Sequence, residues 1–308
     1  MILVVGGTGR MGSHLVRRLI SRGEKVRVLS RNPGAVAPDG VEVVPGDISN
    51  PGSLGHALEG VRTVVAAAHG FDGRGRVNPT TIDWQGNRSL IQAAESADVE
   101  HFILLSVLGA AIDHPMDLFQ MKARAERALR DSSLGWTIVR ATAFMETWMT
   151  VVGEPLVRTG KTRIFGTGQN PINFVSASDV AEVVATAVFD RLLRKQVVEV
   201  VGPEDLSFVD FTRIIQEVVG RPGKVARVPR AALRTMSVVM TPVNPTLTRQ
   251  ARAALVMDSR DMSVKATADP GAVRRVGSLR LADVVRRDQV EARAAEPASR
   301  EDLSGSIT

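Results

Sequence analysis

The sequence of 308 residues predicts an α/β fold, a doubly wound parallel sheet with a small, mostly α-helical C-terminal lobe. Three observations carry this reading. Apolar runs of strand length alternate with helical patterns through the first two-thirds of the chain, as in a parallel sheet covered on both faces. A glycine-rich turn joins the first strand to the first helix in MILVVGGTGRMGSHLVRRL. Beyond residue 203 the alternation loosens into helical patterns.

The elements follow in order. MILVV reads as a buried strand. RMGSHLVRRLISRG reads as a helix with Leu15, Leu19 and Ile20 on one face and Gly23 past its end. KVRVLSR and VEVVPGD are the next strands, NPGSLGHALEG a short helix, and VRTVVAAA a fourth strand. TTIDWQGNRSLIQAAESADV is a longer helix, HFILLS a strand, PMDLFQMKARAERALRDS a helix, and GWTIVRA a sixth strand. RIFGTGQNPINFVSASDVAEVVATAVFD holds two extended pieces and a helix, for which Ser178 is the expected N-cap. KQVVEVVGPEDLSFVDFTRIIQEVVG adds a strand and a helix. This pattern assigns residues 1–160 and 172–202 to the sheet domain, 161–171 and 203–290 to the lobe, and 291–308 to a polar tail expected to be disordered.

Composition excludes several function classes. With no cysteine there are neither disulfides nor thiolate metal sites, and five scattered histidines without an acidic cluster suggest no metal. The net charge of +6 suits an anionic ligand such as a phosphorylated cofactor. Aromatic residues make up 4%, and the arginines are scattered without a stacking platform, which argues against nucleic acid. No signal-peptide pattern and no apolar run of about 18 residues is present. The expectation is therefore a cytoplasmic protein off the membrane, monomeric, with a small-molecule substrate.

The glycine turn is the strongest motif. Gly7-x-Gly9-x-x-Gly12 and Gly6-x-x-Gly9-x-x-Gly12 both fit dinucleotide-binding spacings. One glycine makes the tight turn, one admits the pyrophosphate to the backbone, and one lets the helix pack on the strand. Gly6, Thr8, Gly9, Arg10, Met11 and Gly12 are thus assigned to the phosphates, at the positive end of the helix. The fold expected is of Rossmann type. At the end of the second strand stand Ser30, Arg31 and Asn32, with none of the acid that usually accepts from an NAD ribose. Arg31 can instead pair with a 2′-phosphate and stack on adenine, so NADP(H) is the expected cofactor. Asp47, with Ile48 beside it, is assigned to the adenine side, and Ala67, Ala68 and His69 to the ribose edge. His69 reads equally as a substrate contact or a loop histidine.

With these residues in place, the chain resembles the atypical short-chain dehydrogenases of the NmrA-like and isoflavone-reductase-like type. The resemblance spans roughly residues 1–205 and rests on GGTGRMG, LSRNP, GDIS, FILLSVLGA, FQMKARAERALRDSSLGWTIVRATAFMETW and INFVSASDVA. Phe119, Lys122, Thr137, Ile138, Arg140 and Phe144 match the most specific stretch. The resemblance implies NADP(H) binding, with Thr142 and Phe144 at the cofactor and the lobe closing over the nicotinamide. It covers both reductases and catalytically silent NADPH sensors.

Ordinary short-chain dehydrogenases use Tyr-x-x-x-Lys. Here Leu118 stands at the tyrosine position relative to Lys122, and the chain has no tyrosine at all. Lys122 remains, as ribose anchor and, by the resemblance to isoflavone reductases, as general acid/base. Ser106 matches the superfamily's catalytic serine. Glu126, one turn after Lys122, is expected to pair with it. His114, Met116, Phe119, Met145, Trp148 and Met149 are assigned to an apolar substrate pocket, with core packing as the rival reading. The expected function is NADPH-dependent reduction of a small apolar or aromatic carbonyl, quinone or enone. The alternative is an NADPH-sensing regulator, which predicts an exposed apolar patch on the lobe.

Overall fold

The computed structural model describes residues 1–32, 34 and 38–295. Its centre is an eight-stranded, fully parallel sheet. The strands are β1 (Ile2–Val5), β2 (Val26–Ser30), β3 (Val41–Pro45), β4 (Thr63–Ala66), β5 (His101–Val107) and β6 (Gly135–Ala141), then, past three short strands of the lobe described below, the sixth strand's neighbour Gln196–Val201 and an edge strand Val273–Val276. The first six lie in the order β3-β2-β1-β4-β5-β6. The order reverses between β1 and β4, and ligands of open α/β sheets bind at such a reversal.

Helices cover both faces. Alternate side chains of each strand feed two separate cores, so the strands read as nearly continuous apolar runs. Ile2, Val4, Ile103 and Leu105 pack under α1 (Arg10–Ser21), while Leu3, Val5, Phe102 and Leu104 pack under α2 (Leu54–Leu58), α3 (Asn87–Ser96) and α4 (Asp117–Arg130). The long helix expected before β5 is split: a π-helical turn, Thr80–Gly86, precedes α3.

The lobe begins with β7 (Ala143–Phe144), α5 (Met145–Trp148), α6 (Glu154–Thr159), β8 (Lys161–Phe165) and β9 (Ile172–Val175). α7 (Ala177–Phe189) then returns to the main sheet and packs beside α1, before β10 (Gln196–Val201). Ser176, not the expected Ser178, caps α7, accepting from the Ser178 amide at 3.1 Å; the Ser178 hydroxyl instead accepts from Arg18 at 3.0 Å. The chain continues through β11 (Asp205–Leu206), α8 (Phe208–Val219), β12 (Lys224–Val228), α9 (Arg230–Val239), α10 (Pro245–Ser259), α11 (Val264–Thr267), β13 (Val273–Val276) and α12 (Leu281–Ala295).

Three segments lie across the boundaries expected from sequence. Met145, Met149, Val152 and Leu156 fall within 1–160 yet pack in the lobe's own core with Phe174, Phe208 and Phe211. Residues 273–276 fall in the lobe range yet extend the main sheet as β13, beside β10. Residues 291–295 complete helix α12 rather than starting a disordered tail, and 296–308 lie outside the described residues.

Candidate functional site

The glycine turn lies where the sheet order reverses. Gly6 has φ +87°, and a Cβ there would meet the Ala68 nitrogen at 2.8 Å and the Ala67 carbonyl carbon at 2.9 Å. A Cβ on Gly12 would collide with the Gly6 carbonyl oxygen. Gly6 and Gly12 are therefore needed by the protein's own packing. Gly9 is different: a Cβ there would have only the Gly6 oxygen nearby, at 3.3 Å. Gly9 is also the N-cap of α1, it offers no side-chain cap, and no acid stands in the first turn. The amides at this helix end thus face an open side of the turn with a positive dipole behind them, an arrangement that fits a phosphate.

Around the turn stand the other residues singled out from sequence. Met11, in the first turn of α1, is buried in the sheet core, and Arg10 donates to the Thr150 hydroxyl at 2.7 Å, tying the turn to the lobe. Ser30 is turned inward onto the Asn32 backbone, while Arg31 is exposed and has no ion-pair partner among the described residues. Asp47 accepts from the Ser49 amide and hydroxyl, both at 2.8 Å, through one carboxylate oxygen. Ile48 is buried in the core and His69 is exposed. Thr142 donates to Asn173 at 2.9 Å, and Phe144 packs at the margin of the sheet core.

Lys122 is the most constrained of these side chains. It is 3% exposed, donates to the Leu105 carbonyl oxygen at 2.8 Å and pairs with Asp83 at 3.0 Å. Asp83 is itself fully buried and accepts from the Gly70 amide at 2.8 Å. The π-helical turn that carries Asp83 is held by Asn87, whose side-chain amide donates to the Ile82 and Asp83 carbonyls. A buried lysine needs such a counter-charge, because removing an ammonium from water costs several kcal/mol.

Asp83 was not among the residues expected from sequence, although a signal was present. Asp83, Asn87, Leu90 and Ala94 share one helical stripe, and two polar residues at the head of an apolar stripe mark a buried polar site.

Two expectations are corrected here. Glu126 does not pair with Lys122. It binds Arg140 through two bonds, at 2.9 and 2.7 Å, and Arg130 at 3.2 Å. Ser106 does not face the cleft either: it is 2% exposed and donates to Glu126 at 2.6 Å. The register sets Ser106 opposite Arg140 across β5 and β6, and Glu126 on α4 accepts from both. Both residues thus belong to a buried ion-pair network that continues to Asp269 in the lobe, 3.3 Å from Arg140.

The expected apolar pocket divides in the same way. Met116 and Phe119 form a small cluster with Ala253 of α10, flanked by Phe71, Leu118 and Met262. His114 stacks on Phe119 with ring centroids 4.2 Å apart, and burial, with Arg260 nearby, pushes its imidazole below the usual range. Arg249 of α10 ties the Phe71–Gly73 loop down through bonds of 2.8 Å to each carbonyl. Met145 and Met149 are instead core residues of the lobe, 0% and 4% exposed, and Trp148 packs edge-on to Phe208. Met145 and Trp148 of α5 and Met149 just after it pack with Phe208 and Phe211 of α8 in the lobe's apolar cluster, as the rival core reading expects.

Comparison with known proteins places this geometry. A sequence family described as NAD(P)H-binding matches residues 6–191. The photosystem II assembly factor Ycf39 of Synechocystis is 30% identical over 241 residues, covering 76% of this chain and 72% of that one. A Streptomyces griseus protein, (4-alkanoyl-5-oxo-2,5-dihydrofuran-3-yl)methyl phosphate reductase, is 32% identical over 238 residues, covering 76% and 79%. In fold, the chain is similar to the NADPH-dependent quinone oxidoreductase QOR2 of Escherichia coli, solved with NADPH: TM-score 0.71, 19% identity, 94% of this chain and 100% of that one. With a family match over more than half its length, the chain belongs to the NAD(P)H-binding proteins.

Proposed function

We propose that the protein is an NADPH-dependent reductase of a small apolar or aromatic quinone or enone. The observation that carries this is the buried Lys122–Asp83 pair, set between the glycine turn's sheet edge and the Met116–Phe119 cluster in a chain without tyrosine. When bound, NADPH supplies the hydride. The backbone at Gly9 to Gly12 and the exposed Arg31 would hold its pyrophosphate and 2′-phosphate. Lys122 spends one hydrogen on Leu105 and turns another toward Asp83. Its third would reach a ribose hydroxyl or a substrate oxygen; a proton given up there would have to be replaced from solvent, since Asp83 would otherwise be left an unpaired buried anion. A conjugated substrate spreads its developing negative charge, so it needs less help from an acid than an isolated ketone does. The reductase and oxidoreductase names of the Streptomyces griseus and Escherichia coli proteins support the same reading.

The test is NADPH oxidation against a panel of quinones, enones and simple ketones, with calorimetry of NADPH and NADH binding. Conjugated substrates should turn over fastest, and NADPH should bind more tightly than NADH, with Arg31→Asp reversing that preference. Equal affinity for the two cofactors, or simple ketones outpacing quinones, would refute the reading. A second reading, an NADPH-sensing assembly or regulatory protein, is favoured by the identity to the assembly factor Ycf39 and by the missing tyrosine. It predicts NADPH binding with no turnover on any member of the panel.

A further inference from the structure

α9 and α10 form an antiparallel helical hairpin. Its inner side carries Leu233, Ser237, Thr248 and Ala251, all buried. Its tip is unlike the rest of the surface. Val238, Val239 and Val243 are 69%, 62% and 76% exposed, and from Ser237 to Thr248 no residue is charged. The tip is nevertheless well built. The Val243 and Asn244 amides both donate to the Met240 carbonyl, at 3.1 and 2.7 Å, and the Asn244 side chain caps α10 by accepting from the Leu247 amide at 3.0 Å. Its own backbone bonding therefore holds the three valines outward.

The hairpin's own charge has one sign, with Asp72 in the neighbouring loop that Thr246 and Arg249 bind. From Arg230 to Met257 there are four arginines and not one Asp or Glu, and Arg230 pairs with Asp258 at the hairpin's base. Arg234 lies one turn before Val238 on the same exposed face of α9, and Arg252 is exposed on α10. We infer that the α9–α10 tip docks on a bilayer surface rich in anionic lipid. The valines would enter the headgroup boundary, and the arginines behind them would meet lipid phosphates while their alkyl stems lie along the apolar layer. Among the described residues no helix is long and apolar enough to cross a membrane, so this contact is interfacial. A second copy fits the surface poorly, because a two-fold contact would bring Arg234 and Arg252 toward their duplicates. The inference is independent of the reaction proposed above.

Flotation with vesicles tests it, comparing phosphatidylcholine alone with phosphatidylcholine containing phosphatidylglycerol at low ionic strength. The full-length protein should float with the anionic vesicles and not with the neutral ones, and added salt should weaken the binding. Val238→Asp/Val243→Asp should abolish flotation. Arg234→Ser/Arg252→Ser should weaken it by about tenfold or more, since each cation near such a surface adds substantially to binding. Far-UV circular dichroism and the thermal midpoint, unchanged in both variants, serve as the folding control. No flotation with anionic vesicles, equal flotation with neutral ones, or flotation retained by Val238→Asp/Val243→Asp overturns the proposal. So does a dimer, or a complex with an acidic protein, that forms in solution through the tip while vesicles are ignored.

Discussion

At the scale of single residues, the decisive feature is a charge buried with its partner. Lys122 and Asp83 lie 3.0 Å apart at 4% and 0% side-chain exposure, so removing either leaves the other uncompensated. Lys122→Met should lower stability by about 3–5 kcal/mol for that reason alone. It should also lower turnover by roughly a hundred- to ten-thousand-fold if Lys122 moves the proton. The double variant Asp83→Leu/Lys122→Met separates the two effects. Most of the lost stability should return, as two apolar side chains replace a buried pair, while turnover at saturating NADPH stays low. Recovery of turnover together with stability would make the pair structural only. The lysine was legible in the sequence, at its spacing from Phe119 and the following strand. Its partner was misassigned because i, i+4 proximity on one helix favours Glu126, whereas the structure draws Glu126 to Arg140 on the neighbouring strand.

At the scale of elements, the turn between β1 and α1 shows glycines of two kinds. Gly12 is required by packing, since a Cβ there meets the Gly6 carbonyl oxygen and the Gly7 Cα. Gly12→Ala should therefore cost about 1–3 kcal/mol through overpacking, seen as a lower thermal midpoint. Gly9→Val places its Cβ 3.3 Å from the Gly6 carbonyl oxygen, a tight contact that a small shift relieves. It should fold with a thermal midpoint near that of wild type and lose NADPH binding in calorimetry. Unchanged affinity in a folded Gly9→Val protein would place the cofactor elsewhere. The spacing of these glycines is visible in the sequence, and so is the strand–turn–helix context. Which glycine serves packing and which leaves room is a property of the assembled backbone.

At the scale of the whole molecule, acid sensitivity traces to a residue far from the cleft. His101 begins β5 in the middle of the sheet and is 1% exposed. Its Nε2 faces the Thr137 hydroxyl at 2.9 Å, and that hydroxyl donates to the Leu193 carbonyl at 2.8 Å, so the ring nitrogen donates; Nδ1 is buried without a partner for a proton, which fits a neutral imidazole. Burial, with Arg194 nearby, lowers its pKa from 6.5 to about 4. The unfolded chain therefore takes up a proton first as the pH falls, and stability declines from about pH 6.5 down to about pH 4 and levels off below. The loss from this group is on the order of 3 kcal/mol. Urea denaturation across that range should show the slope, and His101→Gln should remove most of it. A wild-type slope that His101→Gln leaves intact would assign it to other groups.

The parallel sheet, the glycine turn and the absence of a tyrosine acid are all determined by the sequence alone. Each is local, being an apolar run, a fixed glycine spacing or a missing residue type. The lobe's boundary, the fate of Ser106 and the split of the apolar residues were decided only by tertiary structure. Met116 and Met145 look alike along the chain, yet α10 packs against one and α8 against the other. Ser106 sits at the end of a strand whose pleat turns it under α4 toward Glu126, away from the cleft. β13 joins the main sheet from within a helical stretch by pairing in parallel with β10, and becomes the sheet's edge in its place. Contacts between residues distant in the chain depend on how whole elements pack, and a single element's pattern does not encode which neighbour it will meet.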